Sequence, residues 1–271
     1  MGTRFLSNSI KKILSLFNLI ITKKSTVIKK YNHNYKYIIY CDIVQPIFQV
    51  PVEITRDFFG FDFFGGYHPY TETMFFLKDL KRVKLFNSKI DSPLNHYYTN
   101  FQPKSVYNIF EIDRNTHGES LIEYQLPWDY TAKTKNNQPL PYSGPLSDGK
   151  ILKELNRNLL VLNSIATKGY QVKDTSNLIN NNNILGYFLR RNTEYRFIVV
   201  HGKHRISALS VLGEKKIQVS FLINKPRVID INDIVNWPGI INRKFSIDEA
   251  TKIFNFFFNN DGLYYKKKYK I

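Results

Sequence analysis

Cysteine is almost absent from this chain, since Cys41 is the single cysteine among 271 residues. One cysteine permits neither an internal disulfide nor a cysteine cluster for zinc. A chain of this length buries enough surface to fold without disulfides. The composition therefore fits a reducing compartment, and we expect a cytoplasmic protein.

Acidic residues are missing from both ends of the sequence. Residues 1–41 contain eight lysines and arginines and no acid, and residues 263–271 add four lysines and no acid. Twelve of the seventeen net positive charges therefore lie in these two segments, and the remainder is nearly balanced. Basic ends of this kind suit an anionic membrane surface, a nucleic acid or a solvated tail. Because the body of the chain is not basic, nucleic acid is not the favoured partner.

No apolar run approaches the length of a membrane span. Ile13–Ile21 has nine residues, whereas a spanning helix needs about 20. Lysine pairs on both sides of this run favour either an interfacial helix on the inner face of a membrane or a helix packed on its own domain. Under the first alternative, residues 1–24 give the protein a peripheral contact with anionic lipid.

Composition divides the remaining chain into domains. Dense aromatics around Gly60, Gly65 and Gly66 mark residues 31–140 as an aromatic-rich, β-containing domain, whose rings we expect to form a core. A polar, proline-containing stretch then ends this domain. The full predicted division is a basic amphipathic segment 1–30, the aromatic-rich domain 31–140, a third domain 141–225 and a helical C-terminal extension 226–271 with a basic tail.

The third domain has the pattern of an α+β unit. Regular leucine spacing predicts a helix, and two apolar runs, Ile184–Leu189 and Tyr195–Val200, predict a hairpin around Arg191–Thr193. Ile217–Ile223 predicts a further strand. The leucines of the helix are Leu152, Leu155, Leu159 and Leu162.

A polar turn, His201-Gly202-Lys203-His204-Arg205, follows that hairpin and leads into a short helix ending at Gly213. A strand that passes through a glycine into a helix start brings backbone N–H groups, the positive end of the helix dipole and cationic side chains to one place. The layout predicts a phosphate site. Two histidines without a third ligand make a poor metal pair, so we predict no protein-built metal site.

The order helix, strand pair, Gly-x-x-Arg turn, short helix and strand resembles the ParB/sulfiredoxin superfamily over roughly residues 144–224. In that superfamily the turn binds nucleotide phosphates. The resemblance implies that 141–225 is a nucleotide-binding domain, with ATP, ADP or CTP as the nucleotide, together with Mg²⁺. It implies phosphate contacts by Gly202, Lys203, His204 and Arg205.

Members of the superfamily differ in chemistry. Lys203 stands where the sulfinic-acid reductase has a cysteine, which argues against reductase activity. About 45 residues follow Pro226, which is short for the helix-turn-helix of CTP-dependent partition proteins. The pattern is closest to kinase-like members, although His201 replaces their acidic residue before the glycine and Lys203 replaces their first histidine.

The leading interpretation is therefore an ATP- or ADP-dependent phosphotransferase that acts on a small hydroxyl compound. Such a transfer needs a proton acceptor, and His201 and Glu154 are the candidate catalytic residues. For Glu154 the favoured interpretation is an ordinary position on a solvated helix face. Two alternatives stay open: a non-enzymatic nucleotide- or nucleic-acid-binding module, and a membrane-associated scaffold in surface-polymer assembly.

The C-terminal extension contains a capping box, Ser246–Glu249, which predicts a helix through Phe258. The tail that follows mixes tyrosines with lysines. We expect this tail to be disordered.

Overall fold

A computed structural model describes residues 33–34, 47–79, 91–113, 125–129, 142–172, 183–222 and 226–271. All of them belong to one compact unit, residues 31–271. The predicted amphipathic segment 1–30 and the predicted boundaries after residues 30 and 140 lie outside the described residues, and the boundary after residue 225 falls where a described range begins. The described unit mixes helices with a mixed sheet, so the predicted α+β class is confirmed.

The sheet joins strands from both sides of residue 140. Its strand order is β1-β2-β6-β4-β5-β3, and β7 also pairs with β4. The central β4 and β5 form the predicted antiparallel hairpin, which is thereby confirmed. The strands are β1 His33–Asn34, β2 Phe48–Pro51, β3 Thr55–Arg56, β4 Ile184–Arg191, β5 Glu194–His201, β6 Lys216–Phe221 and β7 Val228–Asp230.

Helices cover both faces of this sheet. Two short 3-10 helices, Val52–Ile54 and Ile231–Asn236, accompany the strands. Within the described residues, none of the helices combines the length and the apolar character needed to cross a membrane. The α-helices are α1 Pro69–Asp79, α2 Pro93–Asn100, α3 Val106–Phe110, α4 Asp148–Lys168, α5 Lys203–Val211, α6 Pro238–Ile241, α7 Ile247–Asn259 and α8 Leu263–Tyr269.

The sheet separates two hydrophobic clusters, as strand alternation requires. Phe188 and Phe197 face one cluster, which includes apolar residues of α4 and α5. Tyr187 and Ile198, their neighbours along the strands, face the other cluster, which includes the phenylalanines of α7. The α5 helix is therefore held between the sheet and α4, and this packing fixes the position of the turn that precedes it.

The aromatic-rich segment forms a core, as expected. Its buried rings belong to both hydrophobic clusters and pack mainly edge to face. Those below 3% exposure are Phe48, Phe59, Phe61, Phe63, Tyr67, Tyr70, Tyr97, Tyr98 and Phe101.

The C-terminal region is more ordered than its composition suggested. The capping box of α7 is present, with reciprocal bonds between Ser246 and Glu249, so that prediction is confirmed. The expected disordered tail is wrong, because α8 packs on the body. Tyr265 is fully buried against Phe61, and its hydroxyl donates to the carbonyl of Ile109. Burial of this ring stabilises a helix that charge alone would leave in solvent.

Candidate functional site

The polar turn joins β5 to α5 in the way the sequence predicted. His201 is the last residue of β5 and Lys203 is the first of α5. Between them Gly202 has φ +98°, and a Cβ at this position would come within 3.0 Å of Ile184. Both the left-handed backbone and the close neighbour require glycine. Arg205 and Ile206 donate their backbone N–H groups to the Gly202 carbonyl, which starts the helix and leaves the N–H groups of its first residues without helical partners.

Lys203 does not face solvent. Its side chain is 5% exposed, and its Nζ donates to Oδ2 of Asp57 at 3.1 Å. The ammonium also lies 3.9 Å from the ring centroid of Tyr142. Asp57 is held in turn, since its Oδ1 accepts from the backbone N–H groups of Phe59 and Phe61. The sequence-predicted phosphate ligand is thus one half of a buried ion pair.

His204 and Glu154 form a hydrogen-bonded pair. Nε2 of His204 lies 2.9 Å from Oε2 of Glu154, and the imidazole stacks on the ring of Tyr70 with centroids 4.6 Å apart. The hydroxyl of Tyr70 is bonded to that of Tyr98 at 2.8 Å. Glu154 therefore takes part in a contact between α4 and α5 and does not lie on a purely solvated face.

Both pKa shifts favour a neutral imidazole beside a carboxylate. The hydrogen bond from His204 lowers the pKa of Glu154. Burial lowers the pKa of His204, and this outweighs the opposing effect of Glu154. At neutral pH, Nε2 then carries the proton that is donated to Glu154, which leaves Nδ1 as a proton acceptor.

Arg157 acts electrostatically on both members of this pair, and Arg205 follows His204 in α5. Arg205 is half-buried and donates from its guanidinium to the carbonyl of Asn183 at 3.0 Å. Burial lowers the pKa of Arg205, and the nearby charge of Arg157 lowers it further. Arg157 is exposed on α4, and its charge also lowers the pKa of Glu154. Two like charges that repel each other beside a helix start are a favourable setting for an anion.

The structure does not join the two predicted catalytic residues. His201 is exposed at the end of β5 and pairs in register with Leu185, whereas Glu154 contacts His204. Within the set of predicted site residues, Glu154 contacts His204, Lys203 pairs with buried Asp57, Arg205 donates to Asn183, and His201 is exposed at the end of β5.

Sequence reasoning missed a second buried group behind the turn. His68 is fully buried, with Nε2 at 3.8 Å from Oδ2 of Asp57, and its ring stacks on Phe63. Burial lowers its pKa well below the usual range, so it is neutral. The spacing Asp57-x-x-Gly60 was readable as a local turn. The contact of that turn with Lys203, across 146 residues, left no signal in the sequence.

Among the described residues, no three His, Cys, Asp or Glu side chains are grouped so that they could hold a metal ion. Comparison with known proteins gives no family assignment. No protein-family model matches the chain, and neither a curated protein nor a solved structure shows significant similarity to it.

Proposed function

We propose that the turn at Gly202 binds the phosphates of a nucleotide and that the protein transfers a phosphoryl group to a small hydroxyl compound. The observation that carries this proposal is the Glu154–His204 pair at the start of α5, with the charge of Arg157 acting on this pair and on Arg205. The resemblance of residues 144–224 to the ParB/sulfiredoxin superfamily supports the same assignment.

The phosphate part of the proposal depends on the helix start and the arginines. Backbone N–H groups at the beginning of α5 and the helix dipole attract an anion. A bound phosphate would also relieve the repulsion between Arg157 and Arg205. Lys203 takes a different role from the one the resemblance implied, because its ammonium is already paired with Asp57. Arg205 is the best candidate for direct phosphate contact.

The proton-transfer part depends on His204. In the proposed step, His204 accepts the proton of the acceptor hydroxyl at Nδ1 while Glu154 holds the Nε2–H. The acceptor oxygen bonds to the terminal phosphorus, and the bond from that phosphorus to the remaining nucleotide breaks. His204 thus replaces the sequence candidate His201, and Glu154 becomes the residue that orients the base.

Mg²⁺ fits this site only in a limited way. Mg²⁺ commonly binds through one or two carboxylates plus the phosphates of the substrate. Glu154 is the partly exposed carboxylate at the site, whereas Asp57 is engaged by Lys203. When bound, the ion would neutralise charge on the transferring phosphate.

The first test is thermal stabilisation by ATP, ADP and CTP, with and without Mg²⁺. A nucleotide at a hundred times its dissociation constant adds about 2.7 kcal/mol of stability. We expect the shift to be lost in Arg205→Ala and kept in Lys252→Ala, a control that removes an exposed cation on α7, across the sheet. Absence of any shift in the wild type would reject nucleotide binding.

The second test separates binding from transfer. Phosphorus NMR of a nucleotide with a panel of small alcohols, polyols and hydroxy acids detects any new phosphate ester. We expect Glu154→Gln and His204→Gln to keep the nucleotide-induced shift and lose transfer. Nucleotide binding without turnover on any acceptor would instead favour the non-enzymatic nucleotide-binding module.

A further inference from the structure

The imidazole of His204 contacts two different side chains, one at its edge and one on its face. At the edge, Nε2 lies 2.9 Å from Oε2 of Glu154. On the face, the ring of Tyr70 from α1 stacks on the imidazole, with centroids 4.6 Å apart and 27° between the planes. The proposed proton transfer uses only the contact at the edge, so the contact on the face needs an explanation of its own.

The two contacts restrict different motions of the imidazole. The Cβ–Cγ torsion of a histidine has a broad energy minimum, so rotamer preference alone does not fix the plane of the ring. A single hydrogen bond at Nε2 keeps that nitrogen near Glu154 but still allows the ring to tilt. The flat ring of Tyr70 opposes the tilt, because tilting brings one edge of the imidazole into it. Together, the two contacts give the lone pair of Nδ1 one direction.

Tyr70 is itself held in place at both ends. Its hydroxyl is bonded to the hydroxyl of Tyr98 at 2.8 Å, and its backbone N–H donates to Nδ1 of His68 at 3.1 Å. All three of these residues are buried, and Tyr70 is 2% exposed. A buried ring that is anchored at its hydroxyl and at its backbone cannot follow a tilting imidazole, so it acts as a fixed support.

From this arrangement we infer that Tyr70 is a positioning residue, which fixes the plane of the His204 imidazole. Its contribution to proton transfer rests on the proposed function, whereas the order of the imidazole is a property of the protein alone. Transfer needs this order, because a displacement of about 1 Å between reacting groups costs about a hundredfold in rate. Glu154 and Tyr70 therefore divide the work, since one holds the proton on Nε2 and the other holds the ring.

Carbon-13 relaxation of ring-labelled histidine measures the order of the His204 imidazole directly. We expect a rigid ring in the wild type and in Tyr70→Phe, which keeps the stack, and a mobile ring in Tyr70→Leu. The matched control is Tyr187→Leu, because Tyr187 is also buried but its hydroxyl accepts from Trp128. A His204 ring that stays rigid in Tyr70→Leu, or that loosens equally in the control, would overturn the inference. Glu154→Ala removes the edge contact and keeps the stack, so a freely moving ring in that variant would overturn it even if Tyr70→Leu does not fold.

Kinetics then separate positioning from binding. With an acceptor that the wild type phosphorylates, Tyr70→Leu should lower kcat by up to about a hundredfold and keep the nucleotide-induced thermal shift, while Tyr70→Phe retains most of the rate. An equal loss of kcat in Tyr187→Leu would show a general effect on the fold and overturn the role of Tyr70. A wild type that transfers phosphate to no acceptor would reject the proposed function, and the ring-order measurement would still decide whether Tyr70 fixes the imidazole.

Discussion

The buried pair between Lys203 and Asp57 makes the sharpest prediction about stability. We expect Lys203→Met to leave the Asp57 carboxylate buried without its partner. Removing one member of a buried ion pair costs about 3–5 kcal/mol, whereas exposed pairs contribute about 0–1 kcal/mol. The side chains of Lys203 and Asp57 are 5% and 3% exposed. The cost for a buried pair therefore applies, and this loss would be a large fraction of the total stability of an ordinary domain.

Urea unfolding followed by tryptophan fluorescence measures this loss, because Trp128 and Trp237 are both buried. The matched control is Lys268→Met, which makes the same change in an ion pair whose lysine is 39% exposed. We expect the control to change the free energy of unfolding by about 1 kcal/mol or less. Adding Asp57→Asn to Lys203→Met should recover part of the loss, since the second change removes the uncompensated charge. If Lys203→Met costs no more than the control, Lys203 faces solvent and the phosphate role predicted from the sequence regains its support.

Two further predictions concern the backbone and pH. Gly202 and Gly213 both have positive φ, but only at Gly202 would a Cβ approach Ile184 to 3.0 Å. We expect Gly213→Ala to lower the free energy of unfolding by about 1–2 kcal/mol and Gly202→Ala to lower it clearly more. Equal urea midpoints for the two variants would contradict this. Burial raises the pKa of Asp62 to about 6 from its ordinary 3.8, although Arg56 lies 3.0 Å away. The folded state then binds more protons than the unfolded state over this interval, so the wild type should lose stability relative to Asp62→Asn as pH rises from 4 to 6. Parallel pH profiles of the two proteins would refute that assignment.

The parts of the fold that the sequence predicted have local causes. Neighbouring residues specify each of them. Two apolar runs around a polar turn specify the β4–β5 hairpin, a glycine at a left-handed position specifies the strand–glycine–helix turn, and a serine and a glutamate three residues apart specify the start of α7. The Glu154–His204 contact was only partly predictable. Helical spacing placed Glu154 off the leucine face, but it did not show which side chain it would meet.

The direction of Lys203 was not predictable from composition or motif. A lysine at the first position of a helix can point to solvent or into the body, and the choice depends on what lies behind it. Here the partner is Asp57, which a turn in a distant segment holds in place. The same limitation explains the error over the C-terminal tail. Its four lysines suggested disorder, whereas the packing of Tyr265 against Phe61 decided the outcome.

The neutrality of the Lys203–Asp57 pair has a consequence for the proposed phosphate site. A lone carboxylate at Asp57 would repel a phosphate at the start of α5, and a lone ammonium in the interior beside the positive end of the helix dipole would itself be unfavourable. Together the two charges cancel, and the ammonium of Lys203 donates to Oδ2 of Asp57. Arg157 and Arg205 then remain as the cations that attract an anion to the helix start. Under the proposed function, Lys203 supports phosphate binding without touching the phosphate, because it neutralises the carboxylate behind the site.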